Sequence, residues 1–122
     1  MKPHQSRIGR GAVLWRANLA ARNLKGKDLA GAYLTWAYLG DGDLSNVNLG
    51  GAYLTGATLT RTNLKDANLS NADLSGANLW GADLTGSDLS GANFGGPFGD
   101  ANTRWPEDFD PEGAGVIIKG SF

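Results

Sequence analysis

Leucine recurs at every fifth position of this chain from Leu14 to Leu89, and Phe94 continues the series. The residue two places before each of them is small in most repeats and is usually alanine. The repeating unit has a small residue first, often Asn or Asp second, and Leu third, and its fifth residue is often glycine. Because seventeen such units follow one another in register, one short structural unit must be repeated through most of the chain.

A period of five does not fit either of the common secondary structures. On an α-helix, five residues advance about 500°, so successive leucines would spread around the axis. On a flat strand the period is two, so successive leucines would alternate between faces. A chain that bends once per repeat places them all on one side, and glycine at the fifth position suits such a bend because it tolerates dihedral angles that other residues resist.

The repeats resemble the pentapeptide-repeat family, whose consensus is A-(D/N)-L-X-X, over residues 12–96. The resemblance implies an all-β fold, a right-handed quadrilateral β-helix with four repeats per coil and about four coils. The sequence itself supports four repeats per coil. Residues twenty apart would lie above one another in such a coil, so the first-position residues form four columns. The columns 12, 32, 52, 72, 92 and 17, 37, 57, 77 contain only alanine, and every other residue type falls in the two remaining columns.

The composition divides the chain into three parts. Residues 1–11 are a polar, basic N-terminal segment, residues 12–96 are the repeats, and residues 97–122 are a tail rich in large apolar side chains. Because both ends of a stack of coils need covering, we expect the tail to fold over the last coil as a C-terminal cap and to cover Trp80. The alternative is that the tail docks elsewhere.

Charge is unevenly distributed, although the net charge is only -1. Residues 1–27 contain seven cations and no acid, whereas all twelve acids follow. Arg22 and Lys27 occupy first positions, where the core favours alanine, and burial of an unpaired cation would be costly. Either these two side chains reach out of an open first coil, or they meet an anion. The basic end predicts contact with an acidic partner or with the acidic tail of a second copy, end to end.

Aromatic side chains cluster at positions that the leucine core does not need. In a coil of four repeats, Tyr33 and Tyr53 stack in one column, Trp15 lies on the same side, and Trp36 and Tyr38 lie at the adjoining corner. These features predict a partner-binding surface. Its candidate residues are Trp15, Tyr33, Trp36, Tyr38 and Tyr53, with the cations Arg16, Arg22, Lys25 and Lys27. Alternatively, the N-terminal segment or the tail lies across the aromatic residues.

Several classes of site are excluded or disfavoured. The chain has no cysteine and one histidine, so thiolate and multi-histidine metal sites and a histidine-based triad cannot be built in one chain. The recurring Asn and Asp are expected to bond the local backbone at bends. We therefore predict no catalytic residue, no metal and no cofactor. No apolar run is long enough for a membrane helix and no signal peptide is evident, which predicts a cytoplasmic protein without membrane contact, and the resemblance to the family implies a bacterial source.

The sequence favours a non-enzymatic scaffold or protein–protein interaction module. The alternative is a DNA-mimicking inhibitor or modulator of a DNA-binding enzyme such as gyrase, because some members of the family act in that way. The short chain, the small net charge and the basic end argue against this alternative. Direct nucleic-acid binding is not expected. Ice binding ranks lowest, since the T-x-T spacing of Thr58 to Thr62 does not recur twenty residues away.

Overall fold

The computed structural model describes residues 7–96, 98–100 and 102–119. Residues 1–6, 97, 101 and 120–122 lie outside these ranges, and with them the beginning of the predicted N-terminal segment and parts of the predicted tail. The two named strands are β1, Phe98–Asp100, and β2, Ile117–Lys119, which pair in parallel with Phe98 opposite Ile117. The rest of the fold is built from single parallel bridges between successive coils.

Apart from the bridge between Asp83 and Arg104, the bridges join second-position residues that are twenty apart in the sequence. On one side of the helix, Val13 pairs with Tyr33, Tyr33 with Tyr53, Tyr53 with Asp73, and Asp73 with Asn93. Three further columns repeat this pairing on the other sides. Four repeats therefore complete one coil, as predicted. Each rung is held by bonds such as those from Leu34 N to Tyr53 O and from Tyr53 N to Ala32 O, at 2.8 and 2.9 Å.

Every corner of the helix is a tight turn. The first residue of each repeat typically donates its N–H to the preceding Leu carbonyl, as Ala17 does to Leu14 at 3.0 Å. The fifth position has a positive φ whether it is glycine or not, for example 61° at Trp36 and 67° at Gly56. A positive φ at the second central residue is typical of a type II turn. The same local geometry at every fifth residue turns the chain into a square coil.

The third-position side chains fill the axis of the helix, and the alanines of the first position pack beside them. Leu34, Leu54 and Leu74 have no exposed surface. The second-position Asn and Asp face outward and hold the bends, as Asn48 does by accepting from Gly50 N–H through its Oδ1 at 3.0 Å. This arrangement agrees with the prediction that these side chains bond local backbone. Arg22 and Lys27 are both exposed on the first coil, so neither cation is buried in the core.

The C-terminal segment closes part of the last coil, as predicted for a cap. Phe109 packs against Phe94 and Trp105, with ring centroids 5.4 and 5.3 Å apart. Thr103 Oγ1 donates to Leu79 O at 2.8 Å, which ties the segment to the coil. The expectation that the tail covers Trp80 is wrong, because Trp80 is 44% exposed. The cap instead packs its aromatic rings against Phe94, at the end of the axis.

Candidate protein-interaction surface

Trp36 projects from a corner of the second coil and lies against the glycine one coil below. A Cβ built on Gly56 would lie 2.7 Å from Cε3 and Cζ3 of the Trp36 ring. Several atoms of the ring are equally close, so the six-membered ring lies over the bare backbone of Gly56. The absence of a side chain at residue 56 therefore determines where Trp36 can lie.

This arrangement forms one wall of an open notch of about 540 Å³ at the corner of the helix. The notch is lined by Arg16, Trp36, Tyr38, Gly56 and Thr58. Trp36 and Tyr38 are 56% and 54% exposed, so most of their aromatic surface faces outward. The notch combines a guanidinium, two aromatic rings and a hydroxyl. A peptide with apolar and carboxylate side chains fits this combination.

The remaining predicted aromatic residues lie on the side next to the notch. Tyr33 and Tyr53 stack with ring centroids 4.9 Å apart and an interplanar angle of 7°. Trp15, at the fourth position of the first repeat, is also exposed. Trp15, Tyr33 and Tyr53 keep 44%, 46% and 45% of their surface exposed, although they do not line the notch itself. The structure thus separates the predicted patch into a notch and an adjacent stacked pair.

The predicted cations are exposed at the N-terminal end. Within the described residues, Arg16, Arg22, Lys25 and Lys27 form no ion pair. Arg10 differs, because its guanidinium lies 2.9 Å from Asp28 Oδ2. Of the four predicted cations, only Arg16 lines the notch. The other three define a basic end that is separate from the notch.

The carboxylates of the repeats serve the turns rather than a reactive centre. Ser90 donates to Asp88 Oδ1 through its hydroxyl at 2.6 Å and through its N–H at 3.0 Å. These two bonds hold the pKa of Asp88 below its usual range. A carboxyl with a depressed pKa is a poor general acid at neutral pH. Within the described ranges, no cluster of His, Cys, Asp or Glu could hold a metal ion. Nor do these residues form any helix that could span a membrane.

The sequence matches the family described as pentapeptide repeats in 8 copies, over residues 10–51, 32–71 and 62–96. The chain belongs to the pentapeptide-repeat family. Its architecture is accordingly the right-handed quadrilateral β-helix of these proteins, as the resemblance implied. Proteins with this repeat are typically structural or interaction modules.

Two solved pentapeptide-repeat proteins from cyanobacteria are similar to this pentapeptide-repeat chain. Rfr23 from Cyanothece 51142 is 44% identical with a TM-score of 0.73, and the match covers 74% of this chain and 61% of Rfr23. The protein alr5209 from Nostoc PCC 7120 is 36% identical with a TM-score of 0.54, over 87% of this chain and 84% of alr5209. This chain therefore spans less than two thirds of Rfr23. The search of curated proteins found no match.

A more distant similarity concerns QnrB1, a plasmid-mediated fluoroquinolone resistance protein. A trypsin-treated variant of QnrB1 is 21% identical with a TM-score of 0.40, over 86% of this chain and 59% of that chain. A likeness at this level carries no argument about what the present pentapeptide-repeat protein does.

Sequence reasoning missed three residues of this surface. Gly56 and Thr58 line the notch, and Val13 is a further exposed apolar residue. Gly56 follows Trp36 by one coil, so the period of twenty contained a signal for that contact. Thr58 carries no comparable signal, because threonine is also common at sites without a notch.

Proposed function

We propose that this pentapeptide-repeat protein is a non-enzymatic interaction module that binds a protein partner through the notch at Arg16, Trp36 and Tyr38. The observation that carries the proposal is the placement of Trp36. Its ring lies over Gly56 and is 56% exposed, outside a core that leucine and alanine already fill. The fold does not need this ring, so a contact with another molecule accounts for it better.

The chemistry of the notch supports a protein ligand. Tryptophan, tyrosine and arginine are the residues that most often dominate the binding energy of protein interfaces. Their surroundings are rigid, because each rung is hydrogen-bonded to the coils above and below. A preorganised surface loses little conformational entropy on binding. The stacked pair of Tyr33 and Tyr53 extends the apolar surface beside the notch.

The charge distribution argues against the alternative of DNA mimicry. The chain has 12 acidic and 11 basic residues, and its cations are concentrated at one end. On the side that carries Asp73, the exposed second-position residues are Val13, Tyr33, Tyr53 and Asn93, none of which is an acid. This side does not present the row of negative charge that a DNA mimic needs. A gyrase supercoiling assay tests the alternative, and we expect no inhibition.

Capture from an extract of the native cell tests the proposal. The test variant combines Trp36→Gly with Tyr38→Thr. Glycine suits the positive φ of residue 36, and threonine already occupies the equivalent of position 38 one coil below, at Thr58. The matched control is Trp80→Thr, which removes an exposed ring elsewhere and places Thr where Thr60 lies one coil earlier.

We expect the wild-type protein and Trp80→Thr to capture the same specific partner in equal amounts. The double variant should capture at least about tenfold less of it, because two residues that dominate the binding energy have been removed. Retention of the partner by the double variant would refute the proposed site. The extract should be prepared at low ionic strength, because salt screens the contribution of Arg16.

A further inference from the structure

The four sides of the β-helix end at different heights at the C-terminal end. On the side of Leu84, the ladder continues into the cap. Leu84 donates its N–H to Arg104 O at 2.7 Å, and Arg104 donates to Ala82 O at 2.9 Å. On the next side, which carries Leu89, no further rung follows among the described residues. This side therefore ends in an open backbone edge.

Three backbone groups of that edge lack the partners that the repeat gives their equivalents. Leu69 N–H donates to Asp88 O at 2.8 Å, whereas Leu89 N–H donates to no described residue. The N–H of Gly91 and the carbonyl of Ser87 are unpaired within the same part of the chain. The edge thus offers two donors and one acceptor with the spacing of the helix's own ladder.

The open edge borders a groove of about 250 Å³ with an acidic rim. Phe109 forms part of its wall, and Glu107 and Asp108 are exposed beside it. Neither carboxylate takes part in an ion pair among the described residues. The hydroxyl of Ser87, which also lines the groove, is buried and has no hydrogen-bond partner in the described chain. The groove therefore combines unpaired backbone groups with uncompensated negative charge.

The opposite end of the same chain presents the complementary groups. In the first coil, the carbonyls of Asn23 and Lys25 and the N–H of Asn23 make no hydrogen bond within the described residues. In the later coils, the carbonyls of the second and fourth positions accept hydrogen bonds from N–H groups of the preceding coil, and the second-position N–H donates to a carbonyl of that coil. This rung is flanked by the exposed cations of Arg22 and Lys25.

We propose that the Arg22–Lys25 rung of a second copy adds to the open edge at Leu89, so that copies of this protein associate head to tail. In this contact Leu89 N–H donates to Asn23 O, and Gly91 N–H donates to Lys25 O. Asn23 N–H donates to Ser87 O in return. The cations of the incoming rung then lie beside Glu107 and Asp108. Strand addition at an open sheet edge is a general mode of protein association.

Both parts of the contact are necessary. Exposed ion pairs alone are weak, and a three-bond rung alone is short. Together they select one partner end, because a basic end repels a second basic end and an acidic groove repels a second acidic groove. The interface is heterologous, so each copy retains one free end and the assembly can continue to grow. This inference goes beyond the proposed function, because the notch takes no part in it.

Sedimentation velocity of the wild-type chain over a range of concentrations provides the first test. We expect the average mass to rise with protein concentration at low ionic strength and to fall when salt is added. A wild-type chain that stays monomeric at every concentration would overturn the proposal. The double variant at Trp36 and Tyr38 should associate as the wild type does, which separates this test from that of the notch.

Two substitutions that change the charge equally provide a matched comparison. Glu107→Lys alters the rim of the groove, whereas Glu112→Lys alters an exposed acid of the same segment that does not line it. We expect Glu107→Lys to raise the apparent dissociation constant at least about tenfold and Glu112→Lys to raise it much less. Equal effects of the two variants would contradict a contact at the groove.

Mixing two variants tests the direction of the contact. Arg22→Gln with Lys25→Gln removes the positive charge of the rung and leaves the groove intact, whereas Glu107→Lys alters the groove and leaves the rung intact. At a concentration at which the wild type associates, each variant alone should be monomeric, with an unchanged circular dichroism spectrum that confirms its fold. An equimolar mixture should form dimers and nothing larger, because only one rung and one groove remain competent. A mixture of folded variants that stays monomeric, or that forms long assemblies, would overturn the head-to-tail arrangement.

Discussion

At the scale of single residues, the fifth position of each repeat determines which side chains project from the corners of the helix. Its positive φ is most easily adopted by glycine, yet Arg16, Trp36 and Asn71 adopt it as well. A side chain at this position can lean over the equivalent residue one coil below, as Trp36 does over Gly56. A large residue followed by glycine twenty positions later therefore indicates a side chain fixed against the helix surface.

Substitution of Gly56 tests this arrangement. Gly56→Ala should lower the free energy of unfolding by about 1–2 kcal/mol for the positive φ, and further because its Cβ displaces the Trp36 ring. The control is Gly76→Ala in the same corner column. There φ is +68°, and the nearest atom lies 3.9 Å from the added Cβ. Urea denaturation and tryptophan fluorescence should show a larger change for Gly56→Ala. Equal changes in the two variants would show that Trp36 does not rest on Gly56.

The second-position aspartates predict how stability depends on pH. The hydroxyl of Ser75 and, as the smaller effect, its N–H donate hydrogen bonds to Asp73. These bonds hold the pKa of Asp73 below the usual value of about 3.9. Because the folded-state pKa is the lower one, this group stabilises the fold above about pH 4. The stabilisation is lost as the pH falls through the folded-state pKa.

Asp73→Asn isolates this contribution, since asparagine holds the same turn at Asn68. Urea denaturation between neutral pH and about pH 3 should show that the variant loses less stability than the wild type on acidification. An identical or steeper loss in the variant would contradict the role of the Asp73 carboxylate.

At the scale of elements, the sequence predicted the coil correctly but not the details of its end. The resemblance to the family implied four repeats per coil, and the alanine columns supported this number, because they show which residues face the axis. The prediction failed at Trp80, because the path of the cap depends on long-range contacts. Asp83 pairs with Arg104, which is 21 residues away rather than 20, so the register slips by one residue where the repeat pattern ends.

The cap provides a prediction of its own. Phe109 is half-buried against Phe94 and Trp105, whose rings lie 5.4 and 5.3 Å away. Phe109→Ala should lower the free energy of unfolding by about 2 kcal/mol, which is less than the about 3–5 kcal/mol lost at a fully buried phenylalanine. Chemical denaturation measures this loss, and hydrogen exchange should show faster opening of the last coil than of the central coils. If the loss were negligible, the segment would not act as a cap.

At the scale of the whole molecule, the helix is a rigid core whose edges and corners carry the features that the core does not need. The sequence predicted which residues these are, because Trp36, Tyr38 and the basic end depart from the repeat pattern. It could not predict that Arg16, Trp36 and Tyr38 share one notch, or that the side of Leu89 ends in an open edge. The notch depends on the orientation of the Trp36 ring, and the open edge depends on the height at which each side ends; the repeat pattern determines neither.

The most direct test of the notch is site-specific photo-crosslinking in the native cell. A benzophenone-bearing analogue of phenylalanine replaces Tyr38 in one version of the protein and Trp80 in the other. Both sites are exposed, at 54% and 44%, so the two probes are comparably accessible. If the notch binds a partner, irradiation should yield one defined cross-linked protein from position 38 and none from position 80. No product from position 38, or the same product from both positions, would contradict a partner bound in the notch.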